Sequence, residues 1–215
     1  MMEVIILSIN IDFNKIYSTK EYGEFKIIDN LGYINNDSRL WVKIKYLTTG
    51  YERNVRYDAL YANNLNTQDP CYPKIYNVAY IGENVGARNV YKTDYDRWIK
   101  MISRCYNKND KDYKNYGGKG ITVCDRWLNF SNYFYDIKLL PGYHFKQIYP
   151  KIYQLDKDYL QQNIPKEKRV YSPETCVWLP INVNSKIASN TYYDELPYVD
   201  FDGNIKMMNM CTIVN

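Results

Sequence analysis

Tyr153-Gln-Leu-Asp-Lys-Asp158 and Tyr171-Ser-Pro-Glu-Thr-Cys-Val-Trp-Leu-Pro-Ile-Asn-Val-Asn184, joined by a polar loop, set the fold expected of this chain. The first segment ends an apolar run on two carboxylates, Asp156 and Asp158. The second holds a short β-prone run, 176–179, that stops at Pro180. Proline is favoured in the first turn of a helix, so the chain from about Ile181 suits a helix. Strand, loop, strand and helix make a ββα unit, in which a carboxylate on the first strand can face an asparagine on the helix. One oxygen from each, with phosphate and water, suits Mg²⁺, which takes few protein ligands and keeps its waters. Asp156 and Asn184 are therefore the candidate metal ligands.

Two further blocks precede that unit: Tyr95-x-x-Trp98-x-x-Met101-x-x-Arg104-Cys-Tyr-Asn107 and Tyr116-Gly-Gly-Lys-Gly-Ile-Thr-Val-Cys-Asp-Arg-Trp127. Together with residues 171–180 they resemble the phage HNH-type (ββα-metal) endonucleases over residues 91–189, less than half of the chain. The resemblance implies an α+β fold, a small N-terminal β module followed by an HNH-like domain with a ββα unit. It also implies metal-dependent phosphodiester hydrolysis with Mg²⁺ or Mn²⁺ on Asp156 and Asn184. In that family the residue after the metal-binding Asp is a His that activates water. Here that position holds Lys157. A lysine of ordinary pKa, about 10.4, cannot accept a proton at neutral pH; burial would have to lower it, or the ammonium would serve as a clamp on phosphate. Asp158 would hold a metal-bound water or orient Lys157. The plain alternative is a degenerate unit whose acidic residues cap a hairpin.

His144 is the one histidine, hence the one ordinary side chain poised for base chemistry near neutrality. It lies in a Tyr-rich stretch, 142–153, read as a loop, from which it either reaches the site or is a surface residue. Residues 91–106 read as a helix, started by Thr93 or Asp94, with Tyr95, Trp98, Met101, Ile102 and Cys105 on one face. The opposite face carries Arg97, Lys100 and Arg104. Residues 116–120 put three glycines around Lys119, as a tight turn or a phosphate cradle; the spacing of a nucleotide-binding P-loop is missing. After a short strand, 121–124, a second helix is expected over 125–136, capped by Asp125 or starting later at Ser131, with Arg126 next to Asp125. Arg97, Arg104, Lys119 and Arg126 are the candidate contacts to a DNA backbone.

Residues 16–83 show short strands. The clearest is 40–46, which alternates apolar and basic positions; Thr49-Gly50 turns it into a second alternating run, 51–57. Residues 24–29 form another strand and 76–82 a last one, in a strongly bent sheet or partial barrel spanning 1–85. Residues 82–89 mark the boundary, the HNH-like domain covers 90–190, and 191–215 form a short β tail with a hairpin turn at Asp202-Gly203.

The chain has 215 residues, 25 of them tyrosine, and a formal charge of +4, a mild excess that permits nucleic-acid binding without demanding it. Five cysteines without a C-x-x-C pair, beside a single histidine, argue against structural zinc and for reduced thiols. No run is long enough to span a membrane and no leader is seen, so a cytoplasmic protein is expected, in the bacterial host cell if phage-encoded. Three functions follow: a homing or nicking endonuclease acting on double-stranded DNA; a DNA-binding derivative without catalysis, favoured by Lys157; and a phage protein that binds a host defence protein through tyrosines. No nucleotide cofactor and no membrane partner is expected.

Overall fold

The computed structural model describes residues 9–34, 38–60, 68–83, 85, 91–188, 195–199 and 205–209. The chain is mixed α and β and divides into two compact units, Met1–Lys74 and Ile75–Asn215. The division falls before the glycine-containing boundary expected at 82–89. The amides of Phe130 and Ser131 donate to the carbonyls of Tyr80 and Ile81, which ties that stretch to the second unit.

The first unit is an antiparallel sheet in sequential order: β1 (Ile16–Thr19), β2 (Gly23–Gly32), β3 (Trp41–Tyr46) and β4 (Glu52–Arg56). Alternation decides its faces. Val42, Ile44 and Tyr46 of β3 are buried and pack with Phe25, Ile27 and Val55, while Lys43 and Lys45 point outward to a shared partner, Glu52. The turn at Thr49-Gly50 closes the β3–β4 hairpin, with Gly50 at φ 74°, a conformation that favours glycine. The register of β2 slips twice, between Ile27 and Asp29 and between Asn30 and Gly32; such bulges bend a strand. The sheet remains open at β1 and β4. Of the span 1–85 expected for this module, residues 1–8 lie outside the described residues.

No strand forms over 76–82. Tyr76 and Asn77 both have positive φ and make a tight turn, leaving only isolated bridges, Ile75 to Ala79 and Tyr80 to Asn129.

The second unit is built around three buried tryptophans. Helix α1 (Lys92–Tyr106) buries Trp98, Met101, Ile102 and Cys105, the face expected from the spacing. Its start differs: no side chain caps it, and Asp94 instead pairs with Arg97 at 2.6 Å. The helix expected over 125–136 is two, α2 (Asp125–Leu128) and α3 (Phe130–Asp136). Tyr80 donates to the Leu128 carbonyl and accepts from Phe130, and the Asn129 side chain caps α3 through the Ser131 amide. Both contacts break the first helix at Asn129. The stretch 142–153 is not all loop: α4 (Tyr143–Ile148) starts from Gly142, where a Cβ would lie 2.3 Å from the Trp178 carbonyl oxygen.

Two small ladders complete this unit. β5 (Thr122–Val123) runs parallel to β7 (Val170–Tyr171), and β6 (Tyr153–Asp156) runs antiparallel to β8 (Val177–Pro180), followed by α5 (Ile181–Ala188). β8 is buried on both faces. Trp178 joins the tryptophan core with Tyr153, and Val177 and Leu179 pack with Val183 of α5 and with Tyr159 and Leu160. Cys105 and Cys176 behave as small core residues, their thiols pushed up by burial to about 11 and about 12. β9 (Glu195–Val199) and β10 (Ile205–Asn209) pair as an antiparallel hairpin; its turn at Asp202-Gly203 lies outside the described residues. Among the described residues no helix is long and apolar enough to cross a membrane.

Candidate functional site

Period-two alternation along β6 sends Asp156 and Lys157 in different directions. Asp156 stands opposite Val177 in the β6–β8 ladder, 4 % exposed. Its Oδ1 accepts from the backbone amides of Asp158 at 3.0 Å and Tyr159 at 2.7 Å, so the carboxylate caps the turn at 159–161. Lys157 is equally buried. Its Nζ donates to Asp158 Oδ1 at 2.6 Å and lies over the rings of Tyr116 and Tyr171, at 5.4 and 5.3 Å. The lysine at the position where the resemblance implies a base is therefore a buried cation held by Asp158 and two rings. Burial alone would raise the Asp158 carboxyl, but Lys157 and Arg169, the latter at 2.9 Å, together hold it below its ordinary value.

The metal implied by the resemblance can be tested on these side chains. Asn184 on α5 donates to Gln154 Oε1 at 3.4 Å. Gln154 precedes Asp156 by two residues, roughly 6.6 Å along a strand, and the Asp156 carboxylate bends the other way, toward residues 158 and 159. Oxygens sharing one Mg²⁺ each stand about 2.1 Å from it. Among the described residues no group of three or more His, Cys, Asp or Glu side chains gathers around this pair. Asp156 Oδ1 and the Asn184 amide nitrogen are thus engaged within the protein, which leaves Asp156 Oδ2 and Asn184 Oδ1 as the oxygens a divalent cation would have to share.

The Asp156 carboxyl is pushed up from 3.8 to about 6, chiefly by burial, against the two amides that favour its charged form. In the unfolded chain it ionises near 3.8. Between about pH 4 and pH 6 the folded protein therefore holds the extra proton, and stability is lost as pH rises through that window. Above it a cost of order 2–3 kcal/mol is in place. Asp156→Asn keeps the accepting oxygen and carries no charge. It is expected to raise the unfolding free energy near pH 7.5 by up to about 2 kcal/mol and to leave it unchanged near pH 4. Urea titrations at the two pH values check this; equal shifts at both would remove the assigned cause.

On the other side of β6 lies a groove of about 370 Å³, floored by residues 153–155. Arg97, Lys100 and Arg104 line it from α1, Lys146 from α4 and Lys151 from the loop after it, and none of its lining residues is acidic. Three of these cations are seated on aromatic faces. Arg97 lies over Trp178 at 4.8 Å, in addition to its pair with Asp94, and Lys146 lies over the same indole at 5.6 Å while donating to the Pro150 carbonyl. Arg104 lies over Tyr116 and Tyr171 at 4.4 and 4.9 Å. Burial, then the neighbouring Arg97, lowers the Lys146 ammonium below its ordinary value. Lys100 and Lys151 have no hydrogen bond or ion pair among the described residues. The groove thus concentrates positive charge, offset in part by Asp94 beside Arg97, and a bound anion would relieve the remaining repulsion.

No family model, no curated protein and no solved structure matches this chain.

Of the candidate backbone contacts, the groove gathers Arg97 and Arg104 but not Lys119 or Arg126. Lys119 is exposed on its turn. Arg126 makes a bidentate pair with Asp136, at 2.6 and 2.8 Å. His144 is exposed on α4 with its ring against Phe145. Lys146 and Lys151 carry no signal in the sequence beyond being basic, because the pattern over 142–153 is that of a loop and only the fold brings α4 to the groove that α1 lines.

Proposed function

We propose that this protein binds DNA through the cationic groove of its second unit, on a scaffold of the phage HNH-like type in which Asp156, Lys157 and Asn184 serve structure rather than hydrolysis. The observation that carries this reading is the groove itself: five cations and no carboxylate along β6. The charge balance supports it. Nine basic and nine acidic residues fall in 1–74, so the whole net charge of +4 belongs to the second unit. Arg97, Lys100 and Arg104 run along α1 over roughly 10 Å, about the axial rise of three successive phosphates of one strand. The groove's aromatic side chains support its cations from below and offer no open stacking face, so contact to the phosphate backbone, without base readout, is what it suits.

Fluorescence anisotropy of a labelled duplex against salt tests this. Three to five phosphate contacts give a log–log slope of about −2.7 to −4.5. The slope is expected to be the same for a duplex of scrambled sequence. Salt-independent or absent binding would turn the search to a host-protein partner. The hydrolytic reading retains one support, the position of Asn184 and Asp156 over one strand, β6. Mg²⁺- or Mn²⁺-dependent nicking of supercoiled plasmid that is lost in Asn184→Ala would restore it.

A further inference from the structure

Beside the groove one carboxylate holds two cations, and a third cation shares two rings with one of them. Asp158 Oδ1 takes Lys157 and Arg169 together, at 2.6 and 2.9 Å. Arg104, the third cation, forms no ion pair within 4 Å among the described residues, and its Nε is buried without a hydrogen-bond partner. What holds Arg104 is the pair of rings, Tyr116 and Tyr171. Attraction to a ring face is broad and undirected compared with a bidentate ion pair. The guanidinium therefore goes where the rings put it.

Those rings are shared with Lys157, whose Nζ lies over both. Lys157 is itself fixed at two points. Its ammonium is bonded to Asp158, and its carbonyl accepts from Gln161 Nε2 at 2.6 Å. Gln161 also bonds both the amide and the carbonyl of Val170, the residue before Tyr171. A continuous set of bonds thus runs from Lys157 through Gln161 to the strand that carries Tyr171. Tyr116 is set from the other side by the following residue: a Cβ at Gly117 would lie 1.9 Å from the carbonyl oxygen of Cys105, the neighbour of Arg104.

We infer that Lys157 is a positioning residue for the groove: it holds Tyr116 and Tyr171 where Arg104 can lie across both and present its remaining donors to a phosphate oxygen. Its effect on binding rests on the reading of the groove as a phosphate track; its effect on Arg104 does not. Lys157→Met preserves the length of the side chain and its burial, and Asp158 keeps Arg169, so the variant retains the packing while losing the charge.

The test uses the full chain in two measurements. In the first, the Arg104 side-chain Nε–Hε signal, assigned with Arg104→Lys, is followed by NMR. In the native protein it is expected to be ring-shifted and protected from exchange. In Lys157→Met, with the backbone amide spectrum retained, it moves into the cluster of exposed arginines; Tyr116→Leu, which removes a shared ring, does the same and serves if Lys157→Met fails to fold. In the second, affinity for a labelled duplex falls about tenfold in Lys157→Met, about as in Arg104→Ala, with no further fall in the double variant. An unmoved Arg104 signal, or losses that add in the double variant, overturns the inference. If the native protein binds no duplex, the groove reading fails on its own, and the Arg104 signal alone decides the positioning role.

Discussion

Removal of Lys100, Arg104 and Lys151 together, each to alanine, is expected to weaken duplex binding about 10²–10³-fold at about 0.1 M salt and to make the salt slope shallower by nearly three. Each phosphate contact contributes close to one in the slope, and these three side chains have the fewest competing partners in the groove. Lys100 and Lys151 carry no ion pair among the described residues, and Arg104 has only its rings. Arg97 is left in place because Asp94 already neutralises part of its charge and Trp178 seats it. Lys100 and Lys151 are peripheral, whereas Arg104 packs on two rings, so the thermal midpoint of the triple variant should match that of Arg104→Ala alone. An unchanged slope would show that DNA, if bound, lies elsewhere.

Asp136→Ala is expected to destabilise the second unit by about 3 kcal/mol. The carboxylate is nearly buried at the end of α3 and accepts three hydrogen bonds, two from Arg126 and one from the indole N–H of Trp127 at 2.9 Å. The indole is fully buried, so truncation leaves its N–H without a partner and costs the desolvation of that group in addition to the lost charge-assisted bonds. Arg126 is half exposed and can turn to water. Arg126→Ala should therefore cost about 1 kcal/mol or less and leave duplex affinity unchanged, which separates its structural role from the backbone contact expected from sequence. Urea unfolding followed by tryptophan fluorescence, together with the duplex titration, measures both.

Much of the architecture could be read without coordinates because it follows from local periodicity. The alternation from Leu40 to Tyr57 specifies a hairpin, since a one-residue slip would turn Val42, Ile44 and Val55 out to water. The spacing of Trp98, Met101, Ile102 and Cys105 specifies both α1 and its buried face, and so places Arg97, Lys100 and Arg104 together on the other. The carboxylate-ended run, the β-prone run and Pro180 likewise mark β6, β8 and the start of α5, whereas β7, which lies between the two strands in sequence, is fixed only by its pairing with the distant β5.

What tertiary structure alone decided is direction and partnership. The break at Asn129 depends on Tyr80, forty-nine residues earlier in the chain, supplying hydrogen bonds that no local pattern encodes. Asp156, Lys157 and Asp158 are consecutive, yet one caps a turn, one sits against Tyr116 and Tyr171, and one bridges Lys157 and Arg169. A residue type in a motif states which chemistry is available. Burial, and the groups that arrive from distant segments, determine whether that chemistry faces water, a ligand or the core. Here the chain alone specified the β3–β4 hairpin, the buried face of α1 and its basic stripe. The packing of α4 on β6 and β8, across from that stripe, made it a groove, and the tyrosine pair turned the expected base position inward.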